Sequence, residues 1–257
     1  MNPAVSESER PEQARKTAEA CVRLLQERFG ARRVILFGSL AVGGIWHERS
    51  DIDLAVEGVA PEEFLAAYSA CRDVLPPGLE IDLIPLERAY PELRARILGE
   101  VKMPEDPIAA LKALVEDELV ALKRVVEEME ELLARKTEPP TRVELRATAS
   151  LLHEFYNGVE RIFERVAVGM GEGIPQGSLW HADLLAQMAR APVGKRPAVI
   201  DEPLRARLKE YLDFRHFFRH AYGYTLEWSH LRWKAEHLAE TFALLRAQLH
   251  AFLRGLG

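Results

Sequence analysis

Asp51 and Asp53 stand one residue apart in Ser50-Asp51-Ile52-Asp53-Leu54, downstream of a Gly38-Ser39 pair. In an extended strand successive side chains alternate faces, so the two carboxylates project together while Ile52, Leu54 and Val56 turn to the core. Carboxylates held that close repel each other unless a cation lies between them. Mg²⁺ suits such a pair, because it takes oxygen ligands and is commonly held by one or two carboxylates together with substrate phosphates. The turn at Gly38 and Ser39 ends an apolar run and offers backbone N–H groups and a hydroxyl to a phosphate. A third acid, Asp82 in Leu79-Glu80-Ile81-Asp82-Leu83, lies on the face opposite Ile81 and Leu83. It is placed to complete a metal site or to accept the proton of an attacking hydroxyl. Together these residues describe a nucleoside triphosphate site.

A second group lies in YLDFRHFFRHAYGY, residues 211–224. At about 100° per residue, Phe214, Phe217, Phe218 and Ala221 gather on one side of a helix and Arg215, His216, Arg219 and His220 on the other, facing outward. Arginine brings a permanent forked cation for phosphate and histidine a proton that exchanges near neutral pH, the parts of a metal-independent ribonuclease. Arg215 and His220 sit about 140° apart on a straight helix. A bent helix end near Gly223, or a second copy across a dimer interface, would bring them together. On chemistry alone, a solvated basic face pairing with Glu210 and Asp213 is the competing reading.

The elements that must position these groups follow two rhythms. Up to Gly99 a helical pattern over 17–30 precedes the apolar run 33–38, then strands at DIDLAVEG and LEIDLIPL flank a helical 61–75, as in an α/β or α+β unit with a small mixed sheet. Residues 1–13 read as a polar tail and 101–107, with two prolines, as a linker. From 108 to 257 only helical patterns remain, over 108–135, 142–168, 178–190, 202–222 and 231–253, which predicts an all-α bundle. His47, His153 and His181 show no metal-ligand spacing and read as packing or capping residues. The charged run from Glu116 to Lys136 reads as a solvated helix face, Gly169–Gly177 as a flexible connection, and Trp228 and Trp233 as packing anchors.

Composition narrows the class. The 257 residues are 48% hydrophobic and 29% charged, with a formal net charge of −6, which argues against a protein that coats nucleic acid through clustered Lys and Arg; no DNA partner is expected. Cys21 and Cys71 fall in helical apolar patterns and read as reduced, buried thiols. No signal peptide core or membrane-spanning run is evident, so a cytoplasmic protein without a membrane partner is expected.

The first motif, Gly38-Ser39-Leu40-Ala41-Val42-Gly43 followed by Ser50-Asp51-Ile52-Asp53-Leu54, resembles the signature of minimal nucleotidyltransferases related to DNA polymerase β, over residues 14–100. That resemblance implies Asp51, Asp53 and Asp82 as the Mg²⁺-binding carboxylates, and Gly38, Ser39 and Ser50 as the residues holding ATP. Val42 departs from it, since many relatives carry an arginine there. Arg215 through His220, extended by Tyr222, resembles the R-x-x-x-x-H-x-Y motif of HepT-type HEPN domains, and LLHEFYNGVERIFE and WHADLL are typical of the same group. The two families are the partners of a toxin and antitoxin pairing. The resemblance therefore implies a fusion in which Arg215 and His220 cleave RNA across a homodimer and the nucleotidyltransferase adds AMP to Tyr222. One alternative is an enzyme that modifies a small molecule, as aminoglycoside nucleotidyltransferases do, with the helical half shaping the substrate site. A second is a catalytically inactive regulatory module.

Overall fold

The structure, a computed structural model, describes residues 10–41, 50–100, 104, 106–194, 196–220 and 226–256, with the side chains of Arg10, Glu92 and His220 left aside. The chain divides into two compact units, Met1–Pro107 and Ile108–Gly257. In the first, α1 (Arg10–Phe29) leads into β1 (Arg33–Phe37), α2 (Gly38–Ala41), β2 (Ile52–Glu57), α3 (Phe64–Asp73), β3 (Ile81–Pro85) and α4 (Pro91–Ile97). Helix α1 opens at Arg10, inside the stretch that the sequence reads as a tail. Pro11 in its first turn and a Glu12–Lys16 pair at 2.7 Å, one turn apart, account for the earlier start.

The three strands form one mixed sheet in the order β1-β2-β3, with β2 antiparallel to β1 and parallel to β3. Alternation along β2 gives the sheet two different faces. Ile52, Leu54 and Val56, with Ile81 and Leu83 of β3, are buried against Ala14, Ala18, Cys21 and Leu25 of α1 and Ala67 and Cys71 of α3. Both cysteines are free and buried. On the other face Ile35, Phe37, Ala55 and Ile84 pack with Leu86, Ile97 and Leu93 beneath α4. That short helix, which the sequence pattern does not announce, is tied down where Arg94 Nη1 donates to the Leu86 carbonyl at 2.8 Å. The part of this face that α4 leaves uncovered carries the acids.

The second unit consists of α5 (Pro107–Arg135), α6 (Arg142–Gly169), α7 (Trp180–Met188), α8 (Glu202–His220), α9 (Trp228–Glu236) and α10 (Leu238–Arg254). One core joins all six, from Leu111 and Leu122 of α5 through Phe155 and Phe163 of α6 to Leu208 of α8 and Leu249 of α10. The single helix expected over 231–253 is interrupted at His237, where α9 ends and α10 begins. Trp228 packs on the core, whereas Trp233 keeps 40% exposure and stacks on His237.

Two sequence readings need correction here. Glu118, in the run expected to be a solvated face, is buried between α5 and α6. There Arg161 reaches it at 2.7 Å and Arg165 at 3.0 Å. Burial pushes its carboxyl up, but the two guanidinia outweigh that and hold it below the usual carboxylate range. The Gly169–Gly177 stretch is likewise anchored: Glu172 is buried and pairs with Arg196 at 2.8 Å, while Gln187 donates to the same carboxylate.

Helix α6 starts on a capping box. The Thr141 hydroxyl accepts from the Glu144 N–H at 3.2 Å, and the Glu144 carboxylate accepts from the Thr141 N–H at 2.7 Å. These donors, with Thr137, bring the Glu144 carboxyl down to about 2. Thr141→Ala is expected to cost about 1 kcal/mol in urea denaturation. Because the folded value lies below the ordinary 4.5, the Glu144 contribution is complete above pH 4.5 and is lost as pH falls through about 2.

Candidate functional site

In the first unit the sheet register builds the site. Asp53 is the direct cross-strand partner of Asp82 on β3 and of Phe37 on β1, so Asp53 and Asp82 share one face at the starts of their strands. Asp51, two residues before Asp53, has the same parity and immediately precedes the strand. Asp51 and Asp53 are half-buried and Asp82 is exposed. β1 ends at Phe37, and the chain turns through Gly38 into α2 with φ +69°. Gly38 has a steric reason to be glycine: a Cβ there would lie 2.6 Å from Cγ of Asp53 and overlap its Oδ2. The carboxylate of Asp53 therefore rests directly against the turn, with Ser39 half-buried beside it in the chain and Ser50 half-buried just before Asp51. Val42, Gly43 and His47 lie outside the described residues.

The donor set consists only of hard carboxylate oxygens, which suits Mg²⁺ better than a thiolate- or imidazole-seeking metal. Among the described residues, however, no group of three His, Cys, Asp or Glu side chains is placed to hold a metal ion. The sheet thus brings Asp53 and Asp82 side by side and adds Asp51 on the same face, without closing the three into a ligand cluster.

In the second unit the structure overturns the helical wheel of α8. Arg215 is not on an outward basic face: it is 7% exposed, on the stripe that Leu204, Leu208, Tyr211 and Leu212 bury. Phe217, placed on the core side by the wheel, is 38% exposed. Burying a guanidinium is tolerable only where charge and hydrogen bonds meet it. Nε of Arg215 donates to Oδ1 of Asn157 at 2.6 Å, Nη2 donates to Oε2 of Glu160 at 3.1 Å, and Nη1 lies 3.4 Å from Nε2 of His181. The other Glu160 oxygen, Oε1, is hydrogen-bonded to Nδ1 of His181. Asn157 continues the network to Nε2 of His153 at 3.1 Å, and His216 meets the His181 ring edge-on at 5.1 Å between centroids.

Four of these residues were missed or set aside by sequence reasoning: His153, Asn157, Glu160 and His181. The signal was present in α6, where spacings of four and three place His153, Asn157 and Glu160 on one face of a largely apolar helix. The backbone of His220 is helical, but its side chain is outside the described residues, as is the whole of Tyr222. Of the outward pairings expected for Glu210 and Asp213, both exist, but with Lys234 and Lys209.

Burial holds the His153 ring below the ordinary imidazole value, helped by the positive charges of Arg215 and Arg219 against the opposing pull of Glu160. Burial, then His181 and Arg215, lowers His216 as well. The unfolded chain, with imidazoles near 6.5, takes up these protons first as pH falls. Their contribution is therefore complete above about pH 6.5 and is lost as pH drops through the lower folded values. The melting temperature is expected to be level above about pH 7 and to decline below about 6.5. His153→Asn should flatten part of that decline.

Residues 19–103 match the family model described as polymerase beta, nucleotidyltransferase, and residues 147–256 match that of HepT-like proteins. Between them the two models cover about three quarters of the 257 residues. The small mixed sheet with helices and the helical second unit are the folds that these families imply. No curated protein and no solved structure matches the chain. Among the described residues no helix is long and apolar enough to cross a membrane.

Proposed function

We propose that this chain, a polymerase beta-type nucleotidyltransferase domain followed by a HepT-like domain, transfers AMP from ATP to Tyr222 of the helical unit and so controls a ribonuclease site built on Arg215 and His220. The observation that carries the transferase half is the Asp53 carboxylate, seated against the side-chain-free Gly38 and in register with Asp82. Asp51 and Asp53 would hold Mg²⁺, which when bound offsets the negative charge of the triphosphate. Gly38 and Ser39 bind the phosphates through backbone N–H groups and a hydroxyl. The tyrosine oxygen attacks the α-phosphorus, the bond from that phosphorus to the bridging oxygen breaks, pyrophosphate leaves, and the phenolic proton passes to a carboxylate such as Asp82.

Burial narrows the choice of acceptor. The helical unit contains Tyr156, Tyr211, Tyr222 and Tyr224. Tyr156 and Tyr211 are sealed in the core. Burial pushes the Tyr211 phenol up to about 12 and raises that of Tyr156 well above its ordinary value, so neither ionises readily, and their burial keeps them from a nucleotide. For the ribonuclease half, the fixed cation Arg215 supports a role at an RNA phosphate, and the Arg219 side chain is exposed close by in the sequence. An AMP group on Tyr222 would add negative charge two residues past His220 in the sequence.

Incubation with ATP and Mg²⁺ followed by mass spectrometry tests the reading. One AMP is expected on the wild-type chain, mapped to Tyr222 and absent from Tyr222→Phe. No adduct under conditions where ATP binds would overturn it.

A further inference from the structure

Arg215 is held more completely than a structural ion pair requires. Each of its three nitrogens meets a different partner, from two helices other than its own: Asn157 and Glu160 of α6 and His181 of α7. A guanidinium is planar, so contacts at all three nitrogens fix its rotation as well as its position. The proton positions close without conflict. Glu160 accepts from His181 at Nδ1, which leaves Nε2 of the neutral ring as a lone pair, the acceptor that Nη1 of Arg215 needs. One cation, one anion and one neutral ring make a closed set suited to burial, with Arg215 and Glu160 side chains each 8% exposed. Of the five N–H donors of a guanidinium, three are used, so two carry no partner among the described residues.

We propose that Glu160, acting with His181, is a positioning residue: it orients Arg215 so that those two donors are presented to a phosphate of the substrate. The proposal rests on the ribonuclease reading above, and Glu160 itself touches no substrate. It fixes the orientation through the shared carboxylate, one oxygen on the cation and one on the imidazole.

The test uses the full chain with ¹⁵N-labelled arginine and a mixed-sequence single-stranded RNA. The Nε–H of Arg215, identified by its loss in Arg215→Lys, is expected as a slowly exchanging resonance. Glu160→Gln should speed that exchange at least about tenfold and lower kcat for RNA cleavage by about 10–100-fold, the range typical of lost orienting partners, with KM within about twofold. In the Arg215→Lys background the same substitution should add less than about a twofold loss, because a residue acting only through Arg215 then has nothing left to orient. An unchanged resonance in Glu160→Gln, or an equal loss in both backgrounds, overturns the proposal. Wild type that cleaves no RNA overturns the ribonuclease reading instead, and the resonance still decides whether Glu160 fixes the guanidinium. Should Glu160→Gln fail to fold, His181→Gln carries the same test with smaller expected changes, and no change in it is equally fatal.

Discussion

Gly38→Ala is expected to lower nucleotide transfer by about 10²-fold, the cost of misplacing a reacting group by about an ångström, while destabilising the chain by only about 1–2 kcal/mol. Two effects act at this residue. Its φ of +69° is a left-handed conformation that an alanine adopts only under strain. The new Cβ would also occupy the place of the Asp53 carboxylate, which must swing away to admit it. Gly78→Ala separates the two effects. Gly78 has φ +82° but no atom within 4 Å of where an added Cβ would stand, so it should show the strain in thermal denaturation and no loss of transfer by mass spectrometry. If both variants transfer AMP like wild type, the Asp53 position is not the one that catalysis uses.

Arg215→Ala is the larger effect on stability, an expected loss of about 3–5 kcal/mol from the helical unit. Removing the guanidinium leaves the buried Glu160 carboxylate with His181 as its hydrogen-bond partner among the described residues, and it strips Asn157 of its donor. That loss is a large fraction of the roughly 5–15 kcal/mol that hold a domain together. By contrast Arg219→Ala, at an exposed position of the same helix, should stay within about 0.5 kcal/mol. The pair Arg215→Met with Glu160→Gln should recover most of the stability, since the neutral amide keeps an acceptor for His181 and no charge is left buried. Urea denaturation followed by tryptophan fluorescence reports on this unit, which holds Trp180, Trp228 and Trp233. Full stability of Arg215→Ala would contradict the network. A practical consequence is that a test of the proposed RNA cleavage with Arg215→Ala is ambiguous unless folding is measured beside it.

These two residues mark how far local pattern reaches. The strand pair was legible because strand parity is strict: from Asp51-Ile52-Asp53-Leu54 alone, period two separates acids from core residues, and the structure buries Ile52, Leu54 and Val56 on one face. The match of Asp82 to Asp53 needed only that two β-rich runs lie side by side, and they do. The placement of Arg215 failed because a helical wheel assigns faces by residue hydropathy, whereas this arginine extends the buried stripe of Leu204, Leu208 and Leu212. Its countercharge, Glu160, lies 55 residues upstream on another helix, a distance that periodicity does not cross. The same reason hid Glu118, whose arginines are 43 and 47 residues away. Polar residues of one helix were read by themselves, and the partners that make their burial affordable belong to others.

The long helix α5 has a bearing on how this protein can be cut. It precedes the HepT-like match, which begins at residue 147, yet it contributes Leu111, Val115, Leu119, Leu122 and Met129 to the shared interior and Glu118 to the paired arginines of α6. A fragment trimmed to the matched residues would uncover the surface of α6 that Leu122 and Leu111 cover at Gly158 and Gly169 and strand two guanidinia without their acid. Such a fragment should be insoluble or self-associating, whereas one beginning at Pro107 keeps its interior closed, so the minimal portable helical piece of this chain is a good deal larger than the family boundary suggests.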